Sequence, residues 1–355
     1  MTPGPFYPWK INKMRFIVLF LSIIFIACQQ EEMVSIHDPL AVTVSDRDLM
    51  DKANSYLGVV EPYPQPPAEL VDLVELGERL FREPGLSGDG KTSCQSCHRI
   101  ESAGVDHLSR SRGVFGRMGA RNTPPIAHQS YLTRHSWEGK HTTLAAQVQA
   151  SLANPNEMGG LPANTMMDMI LQSDTLSRLF HSAFPGEISE DVQVQVGQAL
   201  TTFLQTVVLP TRFDAFLKGD GDALTSREKK GLDLFLSKGC VPCHSGPAVG
   251  GQQFQRFGIF RDYEPFTGSD SVDKGLAGIT KNPSDDRVFR VAPLRLVSQT
   301  APYFHDGSVE TLEEAVWIMG KIQLNQNLTD EEVDHIVSFL HTLSPDTTYS
   351  LAEGR

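Results

Sequence analysis

Cys94-Gln95-Ser96-Cys97-His98 and Cys240-Val241-Pro242-Cys243-His244 are two copies of one pattern, C-x-x-C-H. That pattern is the attachment signature of c-type haem: two thiols add across the haem vinyl groups, and the adjacent histidine swings beneath the iron as its proximal ligand. The two histidines stand about 150 residues apart, one domain's length. One covalent haem c in each half of the chain is the reading that follows. The competing reading is zinc, because two C-x-x-C pairs can make a Cys₄ cage. A spacer this long is unusual for a zinc ribbon, and such a cage has no use for a histidine after both pairs.

The flanks of the two motifs repeat as well. From Ala68 to Phe81 the apolar residues Leu70, Leu73, Val74, Leu80 and Phe81 recur at helical spacing, with Val71 and Leu76 widening the stripe. Gly77 falls on the same face, where a missing side chain would let another helix approach. Pro84-Gly85 stops this helix, and Ser87-Gly88-Asp89-Gly90 turns into the first motif. Before the second motif, Thr225 and Glu228 form a capping box, Leu232, Leu234, Phe235 and Leu236 make the apolar face, and Gly239 ends the helix. Helix, glycine, C-x-x-C-H is the layout of the small helical cytochrome c fold. The expected fold class is all-α, two tandem cytochrome c-like domains with long loops.

Further helices are expected at Leu144–Leu152, Thr175–Phe184, Ser189–Val207, Leu312–Met319 and Asp330–Leu343, the last two opened by Thr311 with Glu314 and Thr329 with Glu332. Between Gly246 and Pro283 the chain is rich in Gly, Gln and Asp without helical period, the composition of a functional loop. Pro62, Pro64, Pro66 and Pro67 form an extended strap, and Pro210 with Gly219-Asp220-Gly221 marks the interdomain boundary. Residues 1–27 read as a lipoprotein signal peptide, 28–67 as tether and strap, 68–215 and 216–345 as the two haem domains, and 346–355 as a tail.

The signal reading rests on Met14–Ala27, an almost unbroken apolar run behind Lys10, Lys13 and Arg15, followed at once by Cys28. The run is short for a permanent transmembrane helix. Cysteine at the new N-terminus makes Cys28 the expected lipidation site, although Phe25 stands where such signals usually carry Leu. Gln29-Gln30-Glu31-Glu32 resembles a stretch that sends some lipoproteins to the outer surface. The expected place is outside the cytoplasm on the periplasmic side, anchored by lipid alone, with outer-surface display as an extension. Export suits c-type attachment, which occurs outside the cytoplasm. It also accounts for all five cysteines, four on haem and one on lipid. A formal net charge of −12 excludes nucleic acid as a natural partner and suits a small basic electron carrier.

The sixth iron ligand decides what a haem does: a thioether closes the iron and raises its potential, while an open position lets an oxidant bind. From spacing, Met319 is the best sixth ligand for the second haem, although a methionine on a helix is equally ordinary core filler. Here a wider pattern enters. Arg121-Asn122-Thr123-Pro124, Trp137-Glu138-Gly139, Gln147, Asn154-Pro155-Asn156-Glu157-Met158, Pro302-Tyr303-Phe304-His305-Asp306-Gly307-Ser308 and Thr311-Leu312-Glu313-Glu314-Ala315 occur in one order between about Leu73 and Leu343. In this the chain resembles the bacterial di-haem cytochrome c peroxidase family, which also contains the maturation enzyme of methylamine dehydrogenase.

The resemblance implies roles position by position. Trp137 matches the tryptophan between the two haems, and Gln147 and Glu157 match the distal-pocket residues of the N-terminal, peroxidatic haem. Met319, fourteen residues after His305, matches the axial ligand of the C-terminal, electron-transfer haem. Maturation enzymes hold Tyr there. Asn122, with backbone oxygens at Thr300 and Pro302, matches an interdomain calcium site. Two departures stand out. Many relatives place an iron-blocking His where this chain has Val114, with Met118 and His107 as the nearby substitutes. The usual Asp and Arg beside the tryptophan are replaced by Glu138 and Lys140.

The resemblance thus implies an enzyme that reduces hydrogen peroxide with electrons from a small donor protein of cytochrome c or cupredoxin type, and leaves room for a homodimer. The alternatives are a di-haem electron-transfer cytochrome without catalysis of its own, and a maturation-type oxidase acting on a protein, which Met319 opposes.

Overall fold

The computed structural model describes residues 45–62, 66–186, 191–269 and 272–345. The signal peptide, Cys28, Pro64 and the tail therefore lie outside the described residues. Helices run in the order α1 Asp46–Asn54, α2 Ala68–Phe81, the single turn α3 Cys94–Cys97, α4 Leu144–Ala153, α5 Ala163–Gln172, α6 Asp174–Ala183, α7 Val192–Thr206, α8 Arg212–Leu217, α9 Ser226–Ser237, the single turns α10 Glu264–Thr267 and α11 Ala277–Thr280, α12 Leu312–Gln323 and α13 Asp330–His341. The protein is mostly helical. The all-α expectation needs one correction: β1 Phe254–Arg256 pairs antiparallel with β2 Val288–Arg290, Gln255 opposite Phe289. The stretch without helical period thus supplies the first of these strands and two single turns, and the second strand follows just after it.

Apolar stripes at helical spacing pack into two buried clusters. One gathers Leu73, Leu80 and Phe81 of α2 with Leu176 and Phe180 of α6 and Val196, Leu200 and Phe203 of α7. The other gathers Leu232 and Phe235 of α9 with Ile318 and Ile322 of α12 and Ile336, Phe339 and Leu340 of α13. Within each, the helix before C-x-x-C-H crosses a partner helix at a glycine. A Cβ on Gly77 would strike the Ala199 carbonyl and come 2.7 Å from the Cβ of Phe203 in α7. A Cβ on Gly231 would strike the His335 carbonyl and lie 3.0 Å from the Cβ of Phe339 in α13. The close approach expected at Gly77 is present, and Gly231 repeats it.

The clusters do not follow the chain strictly. Within the stretch read as tether and strap, α1 is capped by Ser45 and lays Leu49 and Ala53 into the second cluster. Phe213 also belongs to the second cluster, whereas Leu296, far along the chain, is buried in the first. Helix ends follow the sequence closely: Thr225–Glu228 and Thr329–Glu332 close full capping boxes, and Thr311 accepts from the Glu314 amide. Gly239 follows α9 with φ +100°, a backbone setting that glycine adopts without strain.

Candidate haem-binding and catalytic site

The first motif forms one tight turn. Ser93 and Ser96 cap it reciprocally, and the His98 amide closes it on the Cys94 carbonyl at 2.9 Å. The His98 Nδ1 lies 3.1 Å from the Gly104 carbonyl oxygen. A carbonyl only accepts, so Nδ1 carries the proton and Nε2 is left as a free lone pair. Burial lowers the His98 pKa, which keeps the ring neutral, as an iron ligand must be. The second motif repeats the turn, with the His244 amide on Cys240 at 2.9 Å and burial pushing the His244 pKa down to about 4. Among the described residues, no group of three or more His, Cys, Asp or Glu side chains is gathered to hold a metal ion. The two C-x-x-C pairs do not meet, so the Cys₄ zinc cage is excluded.

A cleft opens beside the second motif. Cys240, Cys243, His244 and Met319 all line it, with Phe257, Phe289, Leu312 and Leu340 among its apolar walls. A soft thioether and a neutral imidazole on one apolar cavity are a donor set that fits a haem iron. Trp137, Asn122, Thr300 and Pro302 line the same cleft, so the residues matched to the interdomain calcium site share one wall with the tryptophan.

Near the first motif, three expected residues converge. Val114 is fully buried, and its amide donates to the Glu157 carbonyl at 2.9 Å. Cys97 Sγ approaches the Arg112 carbonyl at 3.5 Å in the same loop. Burial pushes the Cys94 thiol up to about 12 and the Cys97 thiol to about 11, and the Glu157 charge adds to both. Gln147 donates from Nε2 to Ser151 Oγ at 3.1 Å, while its buried Oε1 has no partner. Glu157 accepts from Asn154 Nδ2 at 2.7 Å. Its pKa is raised by burial of the carboxyl, against the pull of hydrogen bonds from Ser151 and Asn154. The rest of the residue is exposed. Ser151 thereby joins Gln147 to Glu157. Sequence reading passed it over, although its place four residues after Gln147, on one helix face, was the available signal.

The two substitutes for the absent histidine differ. His107 has both ring nitrogens engaged, one 2.8 Å from Ser102 Oγ and one 2.8 Å from the Ala301 carbonyl. Met118 is exposed on the loop. Among the described residues no helix is long and apolar enough to cross a membrane.

Comparison with known proteins shows what the chain as a whole is similar to. A family model described as di-haem cytochrome c peroxidase matches residues 71–222. The chain is 37% identical to a cytochrome c551 peroxidase of Nitrosomonas europaea over 291 residues, covering 81% of this chain and 84% of the relative. It is 37% identical to a cytochrome c551 peroxidase of Pseudomonas aeruginosa over 277 residues, 76% and 78% of the two chains. Among solved structures, a MauG-like protein associated with microbial copper homeostasis superposes with a TM-score of 0.73 at 28% identity, covering 84% of this chain and 98% of that one.

Proposed function

We infer, for a chain that belongs to the di-haem cytochrome c peroxidase family, that it reduces hydrogen peroxide to water with electrons from a small donor protein. One peroxide, two protons and two electrons give two waters. Haem c, when bound, supplies the redox chemistry, an open iron at one site and an electron store at the other. Cys94, Cys97 and His98 would hold the first haem and Cys240, Cys243 and His244 the second, with the Met319 thioether as a further donor to it.

The protein's own task is to place the peroxide and move a proton. Glu157 takes a proton from the near oxygen and delivers it to the far one, and its raised pKa brings it closer to the working pH of such a group. Gln147 orients the peroxide through its unpartnered Oε1. The observation that carries this reading is the Gln147–Ser151–Glu157–Asn154 chain beside the first motif, a polar cluster that a plain electron carrier does not need. Val114 offers no ligand, so the first iron would be left open to peroxide. Trp137 passes electrons between the two sites. Asn122 with the Thr300 and Pro302 carbonyls would hold calcium as a clamp between the halves.

The same reading takes the protein to the periplasmic side, anchored through lipid on Cys28, with a cytochrome c or cupredoxin-type donor. The test is a spin-resonance and absorption spectrum of the oxidised, haem-loaded protein beside a turnover assay. One open and one thioether-ligated iron, with peroxide consumed, supports the reading. Two six-coordinate irons without turnover would make it an electron-transfer cytochrome.

A further inference from the structure

Trp137 lies before the linker in sequence but packs against the second hydrophobic cluster. Its indole Nε1 donates to the Asn122 carbonyl at 2.8 Å, and its own carbonyl accepts from the Arg290 amide of β2 at 2.9 Å. The residues beside these two anchors are also tied. Glu138 pairs with Arg121, so the dipeptides 121–122 and 137–138 hold each other twice.

Arg121 then reaches further. Its Nε and Nη2 fork onto the two oxygens of Asp273 at 2.7 and 3.0 Å. Asp273 comes from the long loop after the second motif and is itself fixed. It accepts from the Gly275 amide at 2.8 Å, and its own amide donates to the Tyr263 hydroxyl at 3.2 Å. The guanidinium also lies 5.9 Å over the Phe289 ring, which shares the cleft wall with Trp137. The three side chains are only 21%, 15% and 24% exposed, sheltered enough for the charges to be weakly screened. A planar fork that binds one carboxylate with two donors and another with a third is a geometry lysine cannot supply.

We propose that Arg121 is a positioning residue for Trp137: by bonding Glu138 on one side and Asp273 on the other, it fixes the indole between the two halves and sets the rate at which electrons cross. The proposal rests on the reading of Trp137 as the electron route. Each crossing oxidises the second haem by one electron and reduces the first site by one. Tunnelling falls steeply with added gap, so a loosened indole slows the crossing without altering either haem's own chemistry.

The experiment uses the haem-loaded protein with its second haem reduced, mixed with peroxide in a stopped-flow instrument. Reoxidation of the second haem is followed at limiting and saturating peroxide. R121Q should lower the saturating rate by roughly 10–100-fold, the scale on which a small misplacement acts. The bimolecular rate with peroxide and both haem potentials should stay at their wild-type values. R121K should not restore the crossing. D273N, which keeps the side chain's shape, should lower it in the same direction and serves if R121Q fails to fold. W137F is the control for the underlying reading. A slow W137F beside a wild-type R121Q or D273N overturns the latch and leaves the route standing. A W137F that crosses at the wild-type rate removes the route and the latch together. Full rescue by R121K would also overturn the proposal, since charge alone would then suffice.

Discussion

In the proposed function, Glu157 concentrates the chemistry of the first site in one titrating group. Burial raises its pKa above the ordinary glutamate value of 4.5 despite hydrogen bonds from Ser151 and Asn154. A carboxyl with a raised pKa protonates at higher pH, so the acid limb of peroxide turnover should fall above pH 4.5. Glu157→Gln keeps the shape and removes the titrating oxygen. It should cost about 10²–10⁴-fold in turnover and erase that limb, checked by kcat/KM against pH with both haems loaded. Wild-type turnover in the variant would remove the role. Val114 bears on the same site: with no ligand there, the fully oxidised enzyme should react with peroxide at once in a stopped-flow instrument. A reaction that waits for partial reduction would point to Met118, since His107 already has both ring nitrogens bonded. At the second site, Met319→His should lower that haem's potential in a redox titration, because imidazole replaces a soft thioether. The two C-x-x-C-H motifs were legible because the attachment chemistry they point to demands fixed spacing. Ser151 and Asp273 were not, since an ordinary serine and a loop aspartate acquire meaning only from what folds against them.

Two glycines set how the helices cross. In α2 and α9 the partner's backbone lies where a Cβ would be. Gly→Ala in a free helix stabilises by roughly 0.5–1 kcal/mol through propensity alone. At Gly77 the sign should invert, because α7 must move away from the Ala199 carbonyl. Gly77→Ala should lower stability by about 1–3 kcal/mol in denaturant unfolding of the haem-loaded protein. A stabilised variant would mean the helices separate freely. The helices that sequence located, such as Leu144–Ala153 and Asp330–His341, are those with a full apolar stripe or a capping box. Two of those it missed offer little of either, α1 burying only Leu49 and Ala53 and α5 only Met166 and Ile170, while α8 carries the Thr211–Asp214 capping box but is only six residues long. The strand pair escaped because three-residue strands are too short for a period of two to register.

Arg295 holds together parts of the chain that no local pattern connects. It is 1% exposed and bonds both oxygens of Asp214 at 2.6 and 2.7 Å. It also donates to the Pro247 carbonyl at 2.9 Å and the Gly58 carbonyl at 3.2 Å, while Asp214 accepts from the Val60 amide at 2.8 Å. The segment after α1, the start of α8 and the loop just past the second haem motif thus meet at one ion pair. His128 sits close by, buried with neither ring nitrogen bonded, its pKa pushed to about 3 by burial and then by the Arg295 charge. Among the described residues, no other charged side chain bonds the pair; its remaining partners are the neutral Thr211 and backbone groups. A buried pair of this kind adds little over an apolar substitute, but removing one member leaves a bare charge and costs about 3–5 kcal/mol. Arg295→Met should therefore destabilise the haem-loaded protein by that amount in denaturant unfolding, as should Asp214→Asn to a lesser degree. The double variant should lose much less than the sum, because neither charge is then stranded. Strict additivity would show that the two side chains act separately, and that the three segments are held by packing instead.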